Sequence, residues 1–174
     1  MLEVMLRRRS IRKFAPEPVG REHERRLLRA AFSGPSSTNS RPWHFIVVRD
    51  PDRRRALARL HDYTAMLEHA PLVIAVLGHP SSEWWIEDCS AATENILLAA
   101  TELGLGSIWC GVRIPDGDEC EYFPILGMPE RSGWRVLSLV GIGHPAEKKK
   151  PRTQYEVEKV SFETFGTTAD PRGR

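Results

Sequence analysis

Leu72-Val73-Ile74-Ala75-Val76-Leu77 is an unbroken apolar run, and it predicts a strand buried on both faces. Downstream, residues 88–103 form the clearest helix, with Asp88 as its expected cap and Gly104 as its stop. Cys89, Ala92, Ile96, Ala99 and Leu103 recur at helical spacing, and Ala91, Leu97, Leu98 and Ala100 make much of the other side apolar. A helix apolar nearly all round needs cover on every side, which in so short a chain points to a subunit contact. Strands are expected at about 107–110 and 136–142, with Pro115 and loop-rich sequence up to Pro129 between them. Upstream, Phe45-Ile46-Val47-Val48 reads as a strand. Asp50 and Pro51 open a helix running to about His61, and a short helical piece at 65–69 ends at Pro71. Residues 2–8 and 21–33 are the remaining helices, the second stopped by Gly34. Few strands separated by helices give an α+β fold with a small sheet.

With 174 residues the chain suits one domain, expected over residues 1–166, followed by a polar tail at 167–174. A net charge of +2 argues against a nucleic-acid partner for the molecule as a whole. No apolar run approaches the ~20 residues that span a bilayer, and the N-terminus lacks a signal-peptide pattern. The chain therefore reads as cytoplasmic, with no membrane partner. Cys89, Cys110 and Cys120 are odd in number and without a Cys-x-x-Cys pair, and the histidines show no ligand spacing, so neither a disulfide framework nor a metal is expected.

Two basic clusters stand out. Arg7, Arg8, Arg9, Arg12 and Lys13 surround Ser10 with no acid among them, and Lys148-Lys149-Lys150-Pro151-Arg152 lies far downstream. Guanidinium forks suit phosphate, although each cluster taken alone reads first as a solvated stretch. Arg53, Arg54, Arg55 and Arg59 read as the solvated face of their helix. Pro35-Ser36-Ser37-Thr38-Asn39-Ser40-Arg41-Pro42 cannot be regular structure and offers small hydroxyl and amide groups. There is no Walker loop, no Gly-x-Gly-x-x-Gly and no Gly-x-Ser-x-Gly elbow. Trp84-Trp85 reads as packing rather than as a stacking platform. The tail from Glu147 ends in Val160-Ser161-Phe162-Glu163-Thr164-Phe165, whose apolar residues call for a covering surface, again a partner subunit.

Arg8-Arg9-Ser10-Ile11-Arg12, Pro35 to Phe45, Cys89 to Ala100, Leu103 to Gly111 and Lys150-Pro151-Arg152, in this order, resemble the ordered segments of the nitroreductase family. The resemblance implies an α+β homodimer with a small, mostly antiparallel central sheet flanked by helices, swapped tails and two FMN sites at the interface. It implies that Arg8, Ser10, Lys150 and Arg152 hold the phosphate and ribityl chain, with Arg9 close by and Arg12 toward the ring's polar edge. Pro35, Ser36 and Ser37 would come from the other subunit, with Asn39 framing the site, and Trp109 and the backbone near Gly111 would face the flavin. Arg41 stands where the family usually has glutamine, which makes it a candidate for substrate contact. The implied activity is ping-pong transfer of electrons from NADH or NADPH through FMN to a nitroaromatic, quinone or related small acceptor. The alternatives are a flavin-binding or sensing protein without turnover, or an oxidative flavin enzyme on the same fold.

Overall fold

The computed structural model describes residues 2–112 and 118–167; Pro115 and residues 168–174 of the expected tail lie outside them. In chain order the elements are α1 (Leu2–Arg7), α2 (Arg21–Phe32), β1 (Trp43–Val48), α3 (Pro51–Ala58), a 3₁₀ stretch (Asp62–His69), β2 (Leu72–Gly78), α4 (Trp85–Glu102), β3 (Gly106–Gly111), α5 (Tyr122–Leu126) and β4 (Arg135–Gly143). The strands form one sheet in the order β1-β2-β4-β3, with every neighbouring pair antiparallel.

β2 explains the two-sided core. All its residues are buried, and they alternate between faces as a pleated strand requires. Leu72, Ile74 and Val76 pack with Leu27 and Ala31 of α2 and Ala92, Ile96 and Ala100 of α4. Val73, Ala75 and Leu77 pack with Leu57 of α3, Leu67 and Tyr122. The apolar run thus reports burial on both faces, while strand direction came from the connections.

Asp50 caps α3 as expected, its carboxylate accepting the Arg53 N–H at 2.9 Å. α3 ends at Ala58, short of His61, and Arg54 departs from the expected solvated face. Its guanidinium donates to the carbonyls of Glu68 and Ala70, at 2.9 and 2.6 Å, and so ties α3 to the segment before β2. α4 is longer than expected at its start. Its first residue is Trp85, so Asp88 lies inside the helix and does not cap it. Gly104, at φ +73°, ends it, with Gly104 N–H on Thr101 O and Leu105 N–H on Ala100 O, the paired bonds of a Schellman motif. Trp85 is buried while Trp84 is half exposed. Trp85 packs so tightly over Gly78 that a Cβ there would lie 2.2 Å from the indole.

Candidate functional site

After α1 the chain runs along the edge strand β3. Ser10 bridges to Ser107, and the Ile11 N–H donates to Ser107 O at 2.9 Å. Gly106 permits this approach, because a Cβ there would lie 2.7 Å from Ile11 Cγ2. Ile11 is buried and anchors the arm, leaving Arg12 exposed. The chain's later segment returns along the same arm. Ala146 N–H donates to Lys13 O, and Arg152 N–H donates to Leu6 O at 2.8 Å. Glu147 accepts the N–H groups of Arg12 and Lys13 at 2.6 and 3.2 Å. The Arg12 N–H is the main reason that its carboxyl is held below the usual range, with Lys13 and Lys149 adding to it. Lys149 Nζ donates to Ser10 O at 2.6 Å.

This lacing brings the two basic segments together. Arg9 Nη1 donates to the Lys150 carbonyl, 141 residues away in sequence. Arg9 Nε is buried without a partner. Arg9, Pro151, Arg152, Thr153 and Gln154 line a recess of about 300 Å³. A buried guanidinium N–H without an acceptor is costly, and the donor set around it suits a phosphate. Arg8 is turned to α4, its Nε 3.1 Å from Glu94. Of the expected phosphate residues, Arg9 and Arg152 line the recess, Ser10 and Lys150 are tied to the same lacing through their carbonyls, and Arg8 is engaged by Glu94 instead.

The loop 35–41 sits elsewhere, at the N-terminal end of α4. Ser37 N–H donates to Asp88 Oδ1 at 3.0 Å, whereas Arg8 meets α4 at Glu94, about 9 Å further along the axis at helical rise. Thr38, Asn39 and Arg41 have φ values of 52°, 57° and 47°, a left-handed conformation costing roughly 1–2 kcal/mol for each residue with a side chain. Bonds inside the loop hold the shape: Asn39 N–H on Ser36 O at 3.0 Å and Arg41 N–H on Ser36 Oγ at 3.1 Å. Pro35, Asn39 and Arg41 are exposed, and Ser36 and Ser37 partly so. Among the described residues no hydrogen bond or ion pair joins this loop to the basic arm.

Trp109 and Gly111 lie on β3. Trp109 packs half-buried against the α4-side core. Gly111 is exposed at the strand's end, where a Cβ would meet nothing closer than Trp109 Nε1 at 3.9 Å, so the space in front of it is open. Cys110 points to the other face of the sheet. Burial pushes its thiol up to about 11, and the positive charge of Arg12 opposes that rise. Asp88, Glu147 and Lys149 are the organising residues that sequence reasoning missed. Asp88 looked like a helix cap, and the acid at 147 just before three lysines was the one visible sign of a pairing.

A model described as the Nitroreductase family matches residues 5–63 and 58–144. A Methanothermobacter thermautotrophicus protein whose name joins NADH dehydrogenase and NAD(P)H nitroreductase is 39% identical over 170 residues, covering 95% of this chain and 87% of that relative. The FMN-dependent nitroreductase structure from Clostridium difficile R20291 superposes with a TM-score of 0.88 at 34% identity, covering 95% of this chain and all of that one. A nitroreductase-type structure from Desulfovibrio desulfuricans, solved with FMN, gives a TM-score of 0.81 at 29% identity over 94% of this chain and 96% of that one.

Proposed function

Because the chain belongs to the nitroreductase family, we propose that it is an FMN-dependent oxidoreductase that uses NADH or NADPH to reduce a small acceptor by a ping-pong route. The observation that carries this reading is the recess around Arg9, where two distant basic segments converge on a buried, unpartnered guanidinium N–H. In this reading Arg9, Lys150 and Arg152 hold the phosphate, with Arg8 and Ser10 beside them. When bound, FMN supplies the electron transfer between NAD(P)H and a nitroaromatic, quinone or related acceptor. Arg12 places a cation by the polar edge of the ring and favours negative charge there. Ser36 Oγ accepts the Arg41 N–H and keeps its own proton to donate. Asn39 is exposed and offers its amide. Gly111 and Trp109 frame the ring. Arg41 is exposed, makes no side-chain hydrogen bond or ion pair among the described residues, and faces acceptors. The working form is a homodimer in which loop 35–41 completes the partner's site.

The test is the visible spectrum of the purified protein with added FMN, taken before and after anaerobic NADH or NADPH, followed by turnover with several acceptors. A bound-flavin spectrum that bleaches and is restored by an acceptor supports the reading. Failure to bind FMN removes the cofactor assignment, and bound FMN that neither nucleotide bleaches removes the reductase.

A further inference from the structure

One buried carboxylate holds loop 35–41. Asp88 is 6% exposed and lies in the first turn of α4, where the helix dipole favours a negative charge. Its own N–H makes the ordinary helical bond to Trp84 O at 2.9 Å, so its side chain is free for the loop. Oδ1 accepts the Ser37 N–H at 3.0 Å, and Oδ2 lies 3.5 Å from Ser40 Oγ. No ion pair reaches this carboxylate among the described residues. A charge-assisted bond of this kind is stronger than a neutral one, and it acts where the backbone most needs restraint. Thr38, a β-branched residue at φ 52°, is a genuine conformational outlier. Such a conformation persists only where its surroundings impose it.

We infer that Asp88 is a positioning residue for the cofactor. It sets the shape of the loop that presents Ser36, Ser37 and Asn39, and thereby the affinity for FMN, without touching the cofactor. The inference rests on the reading of this loop as part of a flavin site. Asp88→Asn keeps an oxygen for the Ser37 N–H but removes the charge; Asp88→Ala removes both.

The experiment titrates FMN by fluorescence quenching into the wild type, Asp88→Asn, Asp88→Ala and the double variant Asp88→Asn with Thr38→Gly. The expected loss of affinity is about three- to ten-fold for Asp88→Asn and about ten-fold or more for Asp88→Ala. Thr38→Gly should recover part of it, because glycine takes a positive φ freely; a residue that merely stabilised α4 would not be rescued from the loop. Wild-type affinity in both single variants overturns the inference, as does the absence of rescue. A wild type that binds no FMN overturns the flavin reading itself, and this inference with it. Should the Asp88 variants not fold, hydrogen exchange on the wild type decides: a Ser37 amide protected like those of α4 supports the clamp, and one exchanging at an open-loop rate overturns it.

Discussion

Gly111 is the residue whose missing side chain has the sharpest consequence. It is exposed, and a Cβ there meets no atom closer than 3.9 Å. Gly111→Val should therefore leave stability within about 0.5 kcal/mol yet weaken FMN binding by about ten-fold, because the added bulk stands where the proposed site would seat the ring. Urea unfolding alongside an FMN titration checks both halves. Arg41→Gln should slow turnover of anionic acceptors relative to neutral ones by about two- to five-fold, the range of a solvent-exposed charge; unchanged relative rates remove its role in selection. The cysteines separate by burial. Cys89 is pushed up to about 12, by burial first and then by the neighbouring Asp88 charge, and Cys110 to about 11, whereas Cys120 is exposed. At neutral pH only about one Cys110 in ten thousand is thiolate, so native protein should show one fast thiol toward a disulfide reagent and two slow ones. Both buried thiols have folded values above the usual 9.0, so the folded state binds more protons above pH 9. Their contribution to stability is full below pH 9 and lost as pH rises toward 11 and 12, which denaturation midpoints measured across that window will report.

At the scale of elements, the site depends on how the N-terminal arm docks on β3. Gly106→Ala would put a Cβ 2.7 Å from Ile11 Cγ2 and 2.9 Å from Ile11 Cβ. Those atoms belong to an anchored segment and cannot simply swing away. The expected cost is about 1–3 kcal/mol, together with weaker FMN binding, since Ser10 and Arg12 flank Ile11. A variant with normal FMN affinity would show that the arm's seating does not shape the site. Most element identities were legible because periodicity and caps are local: the β2 run, the Asp50-Pro51 start of α3 and the Gly104 stop of α4 all read directly. Asp88 did not, because an acid near a helix start satisfies the pattern of a cap whether it bonds its own helix or a loop 51 residues away in sequence.

For the whole molecule the question is what covers the apolar surface. Residues 151–159 are all exposed, and Tyr155, Val157 and Phe165 are 77%, 58% and 104% exposed. On the body, Val4, Met5, Leu98 and Ala99 line a groove of about 470 Å³ between α1 and α4. Both features suit the proposed homodimer, in which α4 and the tail meet a second copy. Light scattering should give about twice the 19.7 kDa chain mass, with one FMN bound per chain. A stable monomer that binds FMN at full affinity would overturn the shared site. Among the described residues no helix is long and apolar enough to cross a membrane.

By itself the sequence determined the α+β class, the two-sided burial of β2, most helix boundaries and the family's ordered segments, because each of these is written in neighbours or in a short period along the chain. Only the tertiary structure decided that Arg9 meets the Lys150 carbonyl across 141 residues and that its Nε is left buried and unpartnered. It alone placed Glu147 on the arm rather than in a free polar tail and turned Asp88 toward loop 35–41. The physical reason is the same in each case. A charged side chain's partner is selected by distance in space and by loss of water around it, and neither quantity has a period along the chain from which it can be read.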